Sequence, residues 1–131
     1  MNINNDSTLQ LIKYGLDASA MRDKVIANNM ANINTKNYKK SYVSFEENLA
    51  NANEDFQLKQ TKSAHLNGNA NDSLISVKQD KSTSMRTDGN NVDMDLEKVN
   101  QAANTLMYNA LITQANSKLN MTKSVISGGN R

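Results

Sequence analysis

Acidic side chains are concentrated in the segment D-G-N-N-V-D-M-D, which has the composition of a cation site. The carboxylates that could supply oxygen ligands to Ca²⁺ are those of Asp88, Asp93, Asp95 and Glu97. The segment lacks the alternating D-x-D-x-D-G register of a calcium loop and the glutamate at its twelfth position. A turn followed by the capped start of a helix explains the same residues, so we expect no bound metal.

His65 is the only histidine, and the chain contains no cysteine. A transition-metal site needs further nitrogen or sulfur ligands, so His65 alone indicates a surface or packing residue. The sequence also contains no glycine-rich phosphate loop, no G-x-S-x-G nucleophile elbow and no paired catalytic residues. We therefore expect neither an enzyme nor a protein that binds a cofactor or a small-molecule substrate.

Cations and aromatic rings are mixed in one stretch, a pattern that can bind phosphates and stack bases. Elsewhere Lys and Arg are interspersed with Asp and Glu, and the net charge is only +2, so a surface able to neutralise many phosphates is missing. We favour a solvated connector or an assembly contact over a nucleic-acid partner, an alternative that salt-sensitive binding would reveal. The stretch consists of Lys36, Tyr38, Lys39, Lys40 and Tyr42.

The chain is poor in the apolar residues that a core would need. Its 131 residues are the size of one domain, but only 37% are hydrophobic, 5% are aromatic and none is Trp. A lone copy is therefore expected to be partly disordered, because little apolar burial offsets its chain entropy. The first residues do not resemble a secretory signal peptide, and no apolar stretch approaches the roughly 20 residues that cross a bilayer.

The amino-terminal part predicts a long helix, from the polar cluster at residues 4–7 to about Asn32. Its apolar residues recur at helical spacing along one side, and a neighbouring row lies seven residues apart. A stripe this wide predicts contacts with more than one neighbour. The main stripe contains Leu9, Ile12, Leu16, Ile26, Met30 and Ile33, and the neighbouring row contains Leu11, Ala18 and Val25.

Residues 35–92 carry no sustained helical pattern. Glu46 and Glu47 fit the start of a short helix, and the sequence N-G-N-A-N-D at 67–72 predicts a turn. The stretch from Leu74 predicts a short strand with Ile75 and Val77 on a packed face. We expect an irregular middle segment, partly β or disordered, that supplies no core for the two ends of the chain.

The carboxyl-terminal part predicts a second helix, from near Asp93 to the glycines at 128 and 129. At 1.5 Å per residue it is roughly 50 Å long, which exceeds the diameter of a compact domain of this size. The predicted fold is therefore mainly α, one unit in which helices within residues 1–34 and 93–131 bury their apolar stripes against each other or against other copies. The expected apolar stripe contains Leu96, Val99, Ala103, Leu106, Met107, Ala110, Leu111, Ala115, Leu119, Thr122 and Ile126.

Two segments resemble the flagellar basal-body rod protein family. The sequence V-I-A-N-N-M-A-N-I-N-T from Val25, followed by N-Y-K from Asn37, resembles the family's A-N-N-I-A-N-x-x-T-P-G-Y signature. The sequence R-T-D-G-N-N-V-D from Arg86 is similar to the R-x-D-G-N-N-V-D motif of proximal rod proteins, and Thr61 and His65 match a T-x-x-x-H spacing. Lys36-Asn37 replaces the family's Pro-Gly, although Asn can still adopt the left-handed conformation.

The resemblance implies a structural component of the proximal rod in the flagellar basal body, which assembles through its terminal helices. It implies that these two helices pair as an antiparallel or coiled-coil-like unit. It also implies export through the flagellar type III apparatus, unfolded and without a cleaved signal peptide. The implied partners are further copies of the chain, other rod proteins, the adapter between rod and membrane ring, and the ring itself. Another rod-family protein, or a small helical adaptor or secretion chaperone that forms a discrete dimer, stays open as an alternative.

The residues expected at assembly interfaces come from both motifs and from the carboxyl-terminal helix. Helix interiors disfavour Asn, so the three asparagines at 28, 29 and 32 require a further reason, and subunit contacts would supply one. The expected interface residues are Ala27, Asn28, Asn29, Ala31, Asn32, Thr35, Tyr38, Arg86, Asp88, Gly89, Asn90, Asn91, Leu106, Met107 and Leu111.

Overall fold

The computed structural model describes residues 7–50, 74–82 and 86–128. Helix α1 (Ser7–Ala31) is followed by strands β1 (Ser41–Ser44) and β2 (Ser76–Gln79), and by helix α2 (Met94–Ile126). Residues 46–50 are also helical, as the two glutamates predicted. The prediction of a mainly helical chain with two long terminal helices is confirmed. Thr61, His65 and the predicted turn at 67–72 lie outside the described residues.

Local chemistry places both ends of α2 where the sequence predicts them. The Asp93 carboxylate caps the helix by accepting hydrogen bonds from the backbone N–H groups of Asp95 (2.9 Å) and Leu96 (3.3 Å). Beyond Ile126 the chain turns away through Gly128, whose φ of 67° is the left-handed conformation of a common helix terminator. Neither helix in the described ranges is long and apolar enough to span a membrane.

The two helices pack antiparallel, since successive contacts run up α1 and down α2. Asn29 contacts Glu97, Ser19 contacts Asn104, and Gly15 lies against Leu111. A Cβ atom at Gly15 would lie 3.2 Å from Leu111 Cδ1, so the missing side chain lets the helices approach closely at this point. The predicted pairing of the terminal helices is thus present within one copy of the chain.

A two-stranded antiparallel ribbon packs on α1 and contributes to the core. Strand β1 pairs with β2 in a register that sets Val43 opposite Val77, and β1 is the strand that contacts α1. The expectation that the middle segment supplies no core is wrong, because β1 and the residues beside it direct apolar side chains onto α1. The buried apolar residues are Ile12, Ala18 and Ile26 from α1, and Val43, Phe45 and Val92 from the middle segment.

A strand is present, shifted two residues beyond the predicted span of Leu74 to Val77, since β2 begins at Ser76, and one of the two apolar residues is not packed as expected. Ile75 is half-buried, whereas the Val77 side chain is 51% exposed. Val77 shares a face with the buried Val43, its partner across the ribbon. Helix α1 packs on β1 and so covers Val43, whereas Val77, on the outer strand β2, lies outside this contact.

Candidate functional site

The carboxyl-terminal end of α1 is held by a side chain from the second motif. The Asn90 amide nitrogen donates hydrogen bonds to the backbone carbonyls of Asn32 (3.0 Å), Ile33 (2.9 Å) and Thr35 (3.0 Å). Its carbonyl oxygen accepts the backbone N–H of Val92 at 2.8 Å, and the residue is 0% exposed. These three carbonyls lie just beyond the last residue of α1, Ala31, so Asn90 ties the segment that leaves the helix to a distant part of the chain.

Arg86 and Asp88 support the same helix end. One guanidinium nitrogen of Arg86 donates to the carbonyl of Ile33 at 3.1 Å, and the other contacts the Asp88 carboxylate at 2.7 Å. Asp88 also accepts the backbone N–H of Asn90 at 3.1 Å. That hydrogen bond, helped by the charge of Arg86, lowers the pKa of the Asp88 carboxyl below its usual value of 3.8.

Asn37 and Gly89 form the closest approach between the two motifs. Asn37 has a φ of 59°, so it adopts the left-handed conformation expected at the position where the family has glycine. Its backbone N–H donates to the carbonyl of Asp88 at 2.9 Å. A Cβ atom at Gly89, whose φ is 75°, would lie 2.6 Å from the side-chain oxygen of Asn37. The left-handed φ of Gly89 favours glycine, and a larger residue would also have to displace the Asn37 side chain.

Asn29 joins α1, β1 and α2 through one amide group. Its nitrogen donates to the Ser41 carbonyl at 2.8 Å and to the Glu97 carboxylate at 3.1 Å. Its oxygen accepts the Ser41 backbone N–H at 2.9 Å and the Tyr38 hydroxyl at 3.2 Å. Asn29 is 1% exposed, so both halves of the amide are engaged inside the chain. This network explains an asparagine within a helix better than solubility does.

Asn91 and the Lys-Tyr stretch tie the ribbon to the second motif. The Asn91 oxygen accepts the Lys40 backbone N–H at 2.7 Å, and its nitrogen donates to the Asp80 carbonyl at 3.1 Å. The Lys40 ammonium lies 3.6 Å from the Asp80 carboxylate, and that of Lys39 donates to the Ser82 carbonyl. With these contacts inside the chain, the stretch acts as a connector within the fold, as its composition suggested.

Residues of both sequence motifs form one cluster, which we call the clasp: Asn29, Tyr38, Arg86, Asp88, Gly89, Asn90 and Asn91. The structure brings together most of the motif residues that were expected at subunit interfaces. Asn28, Asn32 and Thr35 form a short chain of hydrogen bonds beside it, while Ala27 and Ala31 are exposed on α1.

Some partners of the motif residues were missed from the sequence. Glu97 accepts the Asn29 hydrogen bond, and Ser19 and Asn104 pair with each other between the helices. Glu97 and Asn104 are seven residues apart on α2, a spacing that places them on one helix face and could have identified them. In the described residues they are the two fully buried positions of α2.

A groove of about 420 Å³ lies between α1, β1 and α2. Arg22 crosses it, forming an ion pair with Glu46 and a contact of 3.7 Å with the sulfur of Met107. Within the described part of the chain, no group of His, Cys, Asp or Glu side chains is arranged to hold a metal ion. The groove is lined by both apolar and charged side chains.

The outward apolar row of α2 is the other notable surface. At 100° per residue this row lies roughly 110° round the helix from the face that meets α1. Leu106 is 72% exposed and Val99 is 64% exposed, whereas Leu111 packs against Gly15. The expected apolar stripe thus divides between two faces, because one partner helix cannot cover its full width. The outward apolar row contains Leu96, Val99, Leu106, Ala110, Met121 and Val125, while Ala103 and Met107 border the groove toward α1.

Helix α2 therefore has three faces. The first meets α1, the second is the outward apolar row, and the third carries exposed polar residues. Tyr108, Ile112, Leu119 and Ile126 are also exposed, between the first face and the third. Helix α1 also exposes apolar side chains, at Leu11, Tyr14 and Met21. Large exposed apolar patches are typical of surfaces that contact other proteins or membranes. The polar row of α2 contains Lys98, Thr105, Asn109, Asn116, Asn120 and Lys123.

Comparison with known proteins gives a consistent family. Residues 15–39 match the family model described as Flagella basal body rod protein. The chain is 37% identical to the flagellar basal body rod protein FlgB of Bacillus subtilis (strain 168), over 93% of this chain and 95% of that protein. It is 38% identical to FlgB of Borreliella burgdorferi, over 73% and 78% of the two chains, and 31% identical to FlgB of Salmonella typhimurium, over 95% and 96%. The chain therefore belongs to the FlgB family of flagellar basal body rod proteins.

Proposed function

We propose that this chain builds the proximal rod by packing the outward apolar row of α2 against neighbouring subunits. As a member of the FlgB family it is a structural component of the flagellar basal-body rod and assembles there with other rod components. The family consists of structural rod proteins, so the prediction that the chain is not an enzyme is confirmed. The proposal concerns which surface carries the assembly.

The observation that carries the proposal is the exposure of large apolar side chains on α2. Val99, Leu106, Met121 and Val125 are each more than three-fifths exposed in the single chain. Covering one such side chain contributes roughly 1.5–3 kcal/mol, so a subunit contact along this row would be strongly favourable. The row runs along most of a helix of roughly 50 Å, which suits an extended side-by-side contact.

The expected interface residues take two different roles in this proposal. Ala27, Asn28, Ala31, Leu106 and Met107 are exposed and available to a neighbouring subunit. The clasp residues act within the subunit, since their hydrogen bonds fix how α1, the ribbon and α2 are arranged. Leu111 lies between the two helices of one copy. Most residues of the two motifs therefore position the helices that carry the assembly surface, and few of them lie on that surface.

The remaining partners and the route to the rod are part of the same proposal. We infer contacts with other copies of the chain, with neighbouring rod proteins, and with the adapter and membrane ring at the rod base. We also infer export through the flagellar type III apparatus without a cleaved signal peptide. The small apolar core of the described residues supports this route, since it opposes unfolding weakly.

Complementation with a charged variant tests the surface. Leu106→Asp should leave the single chain folded, because the side chain is largely exposed, and should permit export while blocking rod assembly. Asn109→Asp, on the polar row, is the matched control and should complement. Secreted protein and assembled rods would be scored in a flagellated strain that lacks its own FlgB. Normal rods with Leu106→Asp would refute the assigned surface, and a discrete dimer that never assembles would favour an adaptor or chaperone.

A further inference from the structure

The contact between α1 and α2 is polar at its most buried points. The Ser19 hydroxyl donates to the Asn104 side-chain oxygen at 2.9 Å, and the Asn104 amide returns a hydrogen bond to the Ser19 carbonyl at 3.0 Å. Nearer the clasp, Asn29 donates to Glu97 at 3.1 Å. All four residues are buried, and the buried side chains of these two pairs have no unsatisfied nitrogen or oxygen atoms in the described structure.

This arrangement is the reverse of what the hydrophobic effect alone favours. Several large apolar side chains of α2, among them Leu96, Leu106 and Met121, point outward, although Leu111 packs on α1. The two buried residues of α2, Glu97 and Asn104, are polar. On α1 the face opposite them carries Ile12 and Ile26 as well as Ser19. If burial of apolar area decided the packing, α1 would cover the row that contains Val99 and Leu106.

We propose that the Ser19–Asn104 and Asn29–Glu97 pairs select the face of α2 that α1 covers and so keep the outward apolar row free for partners. Rotating α2 to place its apolar row on α1 would remove each buried polar group from its partner, which disfavours that packing. The four residues are positioning residues. The consequence for the rod rests on the proposed function, but the face selection is a property of the single chain.

The absence of cysteine from the sequence allows the orientation of α2 to be measured directly. Single cysteines would be introduced at Leu106, on the outward row, and at Ala115, which is half-buried on the face toward α1. The rate of maleimide labelling at each site reports its exposure in the free full-length chain. In the parent background we expect fast labelling at position 106 and slow labelling at position 115.

The test variant is Ser19→Ala with Asn104→Ala, which removes both side chains of one pair together. We expect labelling at position 115 to accelerate by roughly tenfold and labelling at position 106 to slow, because two buried hydrogen bonds no longer favour one face. Asn109→Ala, an exposed asparagine of the same helix, is the matched control and should change neither rate. Each variant would also be checked for helix content by circular dichroism.

Each pattern of labelling decides the proposal. A reciprocal change at positions 106 and 115 with unchanged helix content supports face selection. Unchanged rates at both positions would show that the Ser19–Asn104 pair does not select the face, and the proposal for that pair would be overturned. Faster labelling at both positions would show that the pair only stabilises the fold, and it would equally overturn the proposal. None of these results depends on rod assembly, so the failure of the proposed function would be seen separately.

Discussion

Asn90→Asp should destabilise the chain far more than the same exchange elsewhere, because it reverses the polarity of a buried group without changing its shape. The Asn90 nitrogen donates to three carbonyls at 2.9–3.0 Å. A carboxylate would place an acceptor against these acceptors. Losing the net benefit of two hydrogen bonds, at about 1 kcal/mol each, and leaving the new buried carboxylate oxygen without a donor, at about 1–3 kcal/mol, gives a loss of about 3–5 kcal/mol.

The pH dependence of this variant gives an independent check on the mechanism. Burial among carbonyl oxygens should raise the pKa of the new carboxyl in the folded state above its unfolded value of about 3.9. A raised pKa means that the folded state binds more protons, so stability decreases as pH rises between the two values. The destabilisation should therefore be full near neutral pH and smaller near pH 4, where a protonated carboxyl can donate one hydrogen bond.

Urea unfolding followed by far-UV circular dichroism would measure the effect at both pH values. Asn109→Asp, exposed on α2, supplies the control for the chemical change itself and should shift the free energy of unfolding by less than about 0.5 kcal/mol. If Asn90→Asp matched that control, the clasp would contribute little, and the account of how the two motifs act together would be wrong.

Three further predictions concern the clasp and α1. Gly89→Ala should destabilise by more than about 2 kcal/mol, since it combines a φ of 75° with a contact at 2.6 Å, whereas Gly128→Ala, with a φ of 67° and open space, should cost about 1 kcal/mol; thermal unfolding would compare them. The lowered pKa of Asp88 stabilises the fold above its usual value of 3.8 and ceases to do so as pH falls through the folded value, so Asp88→Asn should flatten the acid side of the stability profile. Asn29→Ala should lower stability and speed amide exchange at Ser41, whereas Asn28→Ala should not. Of these two asparagines, Asn29 is the one that accepts the Ser41 backbone N–H and donates to its carbonyl.

The sequence predicted the helices well because their signals are local. Apolar spacing of three and four residues, the cap at Asp93 and the left-handed Gly128 all act within a few residues of the elements they define. The ribbon was harder to predict, because burial of Val43 and exposure of Val77 depend on which strand α1 covers. Tertiary packing decides which strand is covered, and the alternation of apolar and polar residues along a strand does not predict it.

For the functional residues, too, local sequence signals were informative and tertiary contacts could not be predicted. The two motifs identified Asn29 and Asn90 as important, but residue spacing cannot separate a partner in the same chain from a partner in another copy. Their hydrogen bonds connect residues that are far apart in the sequence, and only the fold reveals them. Likewise, the apolar pattern of α2 spans two faces, and the buried polar pair at Ser19 and Asn104 identifies the one that meets α1.

The most direct test of the central claim is the accessibility of the outward row before and after assembly. A single cysteine at Leu106 would be labelled with maleimide in the free chain and in purified basal bodies, with a cysteine at Asn109 on the polar row as the reference. If neighbouring subunits cover the row, labelling at position 106 should be fast in the free chain and strongly suppressed in basal bodies, relative to position 109. Equal labelling at position 106 in both states would show that the rod is built through another surface.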